Sequence, residues 1–112
     1  MTVHDCIPDI QTLPTGGKQA KENYDYSLLP KYALHLIVEN MTAGAEKYGA
    51  GNYLDIISSE NAARAVAHLQ LATMTEDERK RFSDEDTLRH YINGATRALF
   101  ALDCYCRGRT EK

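Results

Sequence analysis

The sequence predicts an all-α protein: a small helical bundle of three main helices plus one short helix, with an extended N-terminal arm. Three observations carry this. Apolar residues recur at intervals of three and four along 33–45, 62–71 and 88–106, the period of a helix with one face turned to a core. Residues that start or stop helices punctuate them, with Pro30 ahead of the first, Gly49 behind it and Gly108 behind the last. The connections between them are brief. A length of 112 residues fits one folded unit, divided into an extended arm over 1–29 and a helical domain over 30–112.

The arm holds Pro8, Pro14 and Gly16-Gly17 with no helical period, which reads as extended chain with turns and room for a short strand. Lys31 to Tyr48 then follows, with Ala33, Leu36, Ile37, Met41, Gly44 and Ala45 on one stripe. Gly49 to Tyr53 is a loop, because two glycines and an asparagine favour turn geometry. Ser58 or Ser59 is placed to cap the second helix, whose Ala62, Ala63, Val66 and Ala67 permit close packing. Thr75-Glu76-Asp77-Glu78 has the capping-box pattern, predicting a short helix over 76–82. Ser83 opens the last helix, with Asp84, Glu85 and Asp86 in a first turn that favours negative charge. Its apolar stripe is Leu88, Tyr91, Ile92, Ala95, Leu99, Leu102 and Cys106.

Composition narrows the function. The chain is 43% hydrophobic and 26% charged, too apolar for a disordered protein. Its apolar runs fall short of the roughly 20 residues that span a bilayer, and MTVHDCIPDI lacks the basic start and apolar segment of a secretion signal. A cytoplasmic location follows, and Cys6, Cys104 and Cys106 are expected to be reduced thiols. No spacing of cysteine and histidine suggests zinc. A net charge of −3 gives no global basic field, so neither a nucleic-acid polymer nor a membrane is expected as partner. A small anionic ligand held by a few local cations remains open.

Several side chains could hold such a ligand. Asp86, His90, Asn93 and Arg97 lie at intervals of four, three and four, on one line of the last helix. Arg97 offers a donor fork for phosphate and His90 a hydrogen-bonding partner; the plainer alternative is a solvated helix face. Arg64 and His68 form a second i, i+4 pair with the same ambiguity. Lys47-Tyr48-Gly49 with Asn52-Tyr53 places a cation, two rings and an amide around a glycine loop. Rings stack on bases, an amide reads a base edge and lysine neutralises phosphate; the alternative is a helix end whose tyrosines pack on the core. Gly16-Gly17-Lys18 is only a fragment of a phosphate-loop motif, and His4-Asp5 has no partners in a hydrolase pattern.

All-α nucleotide pyrophosphohydrolases need several carboxylates to hold magnesium against phosphates. Here Glu39, Glu60 and Asp103 stand apart from one another. The residues therefore suggest binding without catalysis, with no catalytic residue, metal or cofactor assigned. Hydrolysis would require a metal held by Asp84, Glu85 or Asp86 together with His68 or His90.

The stretch DYSLLPKYALHLIVENMTAGAEKYGAGNYL resembles the opening of a phage family described as the N-terminal domain of dATP/dGTP diphosphohydrolase. The family carries a leucine-proline, a helix and a KYG-x-x-NW signature. Lys47, Tyr48, Gly49 and Asn52 match it, and Tyr53 replaces the tryptophan. His68, Asp84 to Asp86 and His90 resemble its later parts, while Asn93 and Arg97 depart from them. The resemblance spans roughly residues 16–103. It implies that a following catalytic domain carries the carboxylate motif, and that this chain corresponds to the accessory part. The family is also similar to phage sponge proteins that sequester the cyclic nucleotide signals of bacterial CBASS defence. That similarity implies a homo-oligomer, dimer or tetramer, in the host cytoplasm, which holds a cyclic dinucleotide such as cGAMP without turnover and blocks immune signalling. Tyr48 and Tyr53 would stack on bases, Asn52 would read a base edge, and Lys47, Arg64 and Arg97 would hold phosphates. His68 and His90 would be secondary partners. The alternatives are a magnesium-dependent dNTP diphosphohydrolase and an accessory module of one.

Overall fold

A computed structural model describes residues 10–12, 14–20 and 24–110, with side chains described for 14–17 and 24–110. His4, Asp5, Cys6 and Pro8 lie outside the described residues. A hairpin of β1 (Ile10–Thr12) and β2 (Lys18–Ala20) comes first, antiparallel, with Ile10 opposite Ala20 and Thr12 opposite Lys18. Gly16 sits in its turn at φ +86°. The Gly16-Gly17-Lys18 segment is thus the bend and exit of a hairpin and opens no helix, as a phosphate loop would. A 3-10 turn (Tyr26–Leu28) leads to α1 (Lys31–Tyr48), a second 3-10 turn (Asn52–Asp55), α2 (Ser58–Thr73), α3 (Glu76–Lys80) and α4 (Thr87–Cys106). Three long helices and a short one are the predicted all-α bundle.

The helix ends follow the punctuation, with three corrections. Pro30 is the N-cap residue of α1, and Gly49 ends it at φ +93°, donating its N–H to Ala45 O at 2.9 Å. A side chain would be strained at that φ, so glycine stops the helix without cost. Neither serine caps α2. Ile57 holds the N-cap position without a side-chain bond, and the Ser58 N–H donates to Arg109 O at 2.9 Å, so the end of the chain supplies the missing acceptor. Thr75 does cap α3, accepting from Glu78 N, but the helix stops at Lys80. The last helix starts at Thr87, four residues later than expected. Asp86 caps it by accepting from Arg89 N at 2.8 Å, which leaves Ser83 to Glu85 as a turn ahead of it.

The core lies between α2 and α4, which run antiparallel: Asn61 meets Cys104 near one end and His68 meets His90 near the other. The buried apolar residues among those described are Ala65, Ala72, Ile92 and Cys104, all but one of them small. Small residues let the two backbones approach closely. A β carbon on Gly94 would stand 2.8 Å from Leu69 Cγ and Cδ2 and 3.4 Å from the Ala65 carbonyl. Gly94→Val is accordingly expected to push the helices apart and cost about 1–3 kcal/mol. A urea melt unchanged from wild type would mean that α2 and α4 are not in register here. α1 docks on α4 by polar contacts: Asn40 Nδ2 donates to Asn93 Oδ1 (3.1 Å) and Thr96 Oγ1 (3.0 Å).

The faces of the helices differ from the sequence expectation. In α4 the apolar stripe looks largely outward, with Leu88 57% and Leu102 61% exposed. The polar line looks inward instead: His90 is 1% exposed, and Asn93 and Arg97 are half-buried. Likewise Ala62, Ala63, Val66 and Ala67 of α2 are exposed, and α1 buries no residue fully. His90 can be interior because both ring nitrogens have partners there, which removes the desolvation penalty of a buried polar group. No helix among the described residues is long and apolar enough to cross a membrane.

Candidate functional site

The two glycines that break the chain after α1 send it across the end of α4, and the result is a groove of about 820 Å³ between α1, α2 and α4. Tyr48 reaches it from the last turn of α1 and Asn52 and Tyr53 from the 3-10 turn. Arg64 and His68 come from α2, and Arg97 from α4. Six of the eight side chains proposed for a ligand thus share one concavity. The i, i+4 spacing of Arg64 and His68 puts both on the side of α2 that borders the groove, and Asn93 and Arg97 do the same on α4. The remaining two stand elsewhere. Lys47 holds its ammonium 5.0 Å from the centroid of the Tyr48 ring, a cation–π contact, and His90 sits behind His68.

The groove residues differ in how free they are. Tyr48 is 63% exposed. Tyr53 is already engaged: its ring stacks on Phe100 with centroids 4.2 Å apart, and its hydroxyl donates to Asp103 Oδ2 at 2.7 Å. That bond to a carboxylate is the main reason its phenol titrates above the usual 10.0, with burial second. One face of Tyr53 is therefore taken, and the ring pins the glycine loop onto α4. Asp103 also accepts from Arg107 Nε at 2.9 Å. Arg64 pairs with Glu60 at 3.1 Å. Arg97 has no carboxylate or hydrogen-bond partner among the described residues, although it is half-buried.

At one end of the groove, His68 Nδ1 lies 3.0 Å from His90 Nδ1, and His90 Nε2 lies 2.8 Å from Ser83 Oγ. Ser83 Oγ also accepts from Glu85 N at 3.1 Å. The buried Arg79 donates Nη1 to Glu85 O at 2.6 Å. These bonds fold the turn before α4 so that the Glu85 carboxylate meets the two histidines: one donor atom from each of the three falls within 4.8 Å of the others. This is the group among the described residues able to hold a metal ion. Of the residues that the hydrolytic alternative would require together, Asp84, Glu85 or Asp86 with His68 or His90, it brings together Glu85 and both histidines.

His68 titrates below its usual 6.5. Burial is the largest cause; the electrostatic influence of neighbouring His90, Arg97 and Arg64 acts the same way, and Glu85 opposes it. The unfolded chain takes up this proton near pH 6.5, while the folded one refuses it until lower pH. Stability should therefore fall as pH drops below about 6.5 and level off once folded His68 titrates. Urea midpoints between pH 7.5 and 5.5 would show this, and His68→Gln should flatten the slope. A variant with the wild-type slope would assign the effect to another group.

Sequence reasoning passed over Asn40, Thr96 and Phe100, and it read Ser83 as the start of the last helix and not as a partner of His90. Asn40 carried a usable signal, as a polar residue three positions from Ile37 and four from Gly44, on the docking side of α1. Phe100 was hidden because it is three residues from Arg97, on the line read as polar.

No curated protein and no solved structure matches the chain. A protein-family model does, over residues 14–112, and the chain belongs to that family, described as dATP/dGTP diphosphohydrolase, N-terminal.

Proposed function

We propose that the groove binds a purine nucleotide through its phosphates and base and holds it intact. The observation that carries this reading is Arg97, a half-buried guanidinium with no acidic partner among the described residues, in a groove that also holds Arg64 and an exposed tyrosine ring. A guanidinium fork matches two phosphate oxygens at once. Arg97 anchors the phosphate, Arg64 adds charge, Tyr48 supplies a stacking face and Asn52 an amide for the base edge. Tyr53 offers only the ring face that Phe100 leaves. The family description supports purine nucleotides. Retention without turnover is supported by the lining: its one carboxylate, Glu60, is spent on Arg64, so the groove does not fit the magnesium that a diphosphohydrolase needs. In this reading the protein sequesters a nucleotide signal in the host cytoplasm during phage infection, and a cyclic dinucleotide is the ligand class tested first. Calorimetry with cyclic GMP–AMP, dATP and dGTP, with dTTP as the control and with and without magnesium, tests it. Saturable, magnesium-independent binding of a purine ligand is expected; absence of heat with all of them would overturn the reading.

A second reading, hydrolysis of dATP or dGTP, is favoured by one observation, the approach of Glu85 to His68 and His90 beside the groove. Release of pyrophosphate would establish it.

The protein is further proposed to act as a homo-oligomer. Val66 and Leu69 on α2 and Leu88, Tyr91, Leu99 and Leu102 on α4 are all exposed, and large apolar patches mark contact surfaces. Sedimentation as a monomer at tens of micromolar would exclude this.

A further inference from the structure

The contact between His68 and His90 has two physical explanations. Two imidazole nitrogens 3.0 Å apart share either a proton or a cation. A proton bridge between neutral histidines has no use for a third, anionic group, and a divalent cation does. Glu85 provides it, with a donor atom inside the same 4.8 Å as those of His68 and His90. Its other contact is one long hydrogen bond, from Asn93 Nδ2 to Oε2 at 3.4 Å, so the carboxylate is not committed elsewhere. Ligand atoms at about 2.0–2.2 Å from a metal lie no more than about 4.4 Å from one another, which small side-chain rotations reach from here.

The surroundings prepare the ligands. Metal-bound histidine must present a bare nitrogen, and the tautomer is set by what the other nitrogen bonds to. When His90 Nε2–H donates to Ser83 Oγ, 2.8 Å away, Nδ1 is left bare and faces His68. Burial of His90 fixes the ring, and the bond from Arg79 to Glu85 O fixes the turn that carries the carboxylate. The three ligands come from α2, from α4 and from the turn between α3 and α4, so a cation would bind only the folded chain.

We propose that His68, His90 and Glu85 form a binding site for a divalent transition-metal cation such as zinc, cobalt or iron(II), with its remaining coordination positions open toward the groove. Two imidazoles and one carboxylate suit these metals; magnesium prefers an all-oxygen set and is excluded as the resident ion. His68 is a lining residue of the groove, so an ion here adds positive charge where the proposed phosphates lie. The metal site does not depend on the nucleotide reading, and it can be tested with no nucleotide present.

The test is a cobalt(II) titration of untagged, chelator-treated protein at neutral pH, read by the visible absorption of the bound ion, with zinc and magnesium as competitors. One cobalt per chain is expected, displaced by zinc and not by magnesium. His68→Gln and Glu85→Gln should each weaken binding roughly tenfold or more. Both positions reach the surface, and circular dichroism would verify that the variants fold. Absence of saturable absorption in the wild type, or wild-type affinity in folded Glu85→Gln, would overturn the site and leave a hydrogen-bonded histidine pair.

Discussion

Replacing Arg97 with alanine is expected to weaken nucleotide binding roughly 10- to 150-fold while leaving the fold intact. A hydrogen bond to a charged group contributes about 1.5–3 kcal/mol when the site is shielded from water, which converts to that range of affinity. Arg97 is the strongest candidate because no group among the described residues claims its guanidinium, and it is only half-buried. Arg64 should matter less, since Glu60 holds it at 3.1 Å in an exposed i, i+4 pair and the ligand must compete with that carboxylate. Arg97→Lys should recover only part of the loss, because an ammonium cannot form the fork. Calorimetry measures all three variants. If Arg97→Ala bound within about threefold of wild type, the phosphate would lie elsewhere in the groove.

His90→Ala carries the largest expected stability effect, about 2–4 kcal/mol. The side chain is 1% exposed, and its removal leaves a cavity. It also strips the part-buried His68 Nδ1 of its partner and leaves Ser83 Oγ with only the Glu85 N–H, and a shielded polar atom left unpaired adds a penalty. In a domain of this size the loss lowers the melting temperature by roughly 10 °C or more. A melt within two or three degrees of wild type, on the same scale, would mean that solvent reaches His90 and that the polar line of α4 does not form part of the core.

The helix ends were legible wherever backbone chemistry allows one answer. Pro30 cannot sit inside α1, and Gly49 and Gly108 tolerate positive φ where other residues do not. The start of α4 was ambiguous for a physical reason: Ser83 and Asp86 are both good caps, three residues apart. Asp86 prevails in the fold, where Ser83 is bound to His90 and to the Glu85 N–H. The orientation of α4 was not legible. Periodicity tells which residues share a face and not what covers that face. The line through His90 turned inward because His68 and Ser83 satisfy it, whereas Leu88 and Leu102 stay more than half exposed. The site was partly legible. Spacing grouped Arg64 with His68 and Asn93 with Arg97, but it could not bring α2 and α4 together, and it gave no sign that Phe100 would take one face of Tyr53.

The claim that this groove binds a nucleotide and keeps it whole is tested most directly by following the ligand. Protein in slight molar excess is mixed with cyclic GMP–AMP, dATP or dGTP in the presence of magnesium, filtered to remove free ligand, and denatured. What emerges is then identified by chromatography. Recovery of an intact purine nucleotide, depleted from the filtrate in proportion to protein, is the predicted result. Monophosphate together with pyrophosphate would contradict it and make the protein an enzyme.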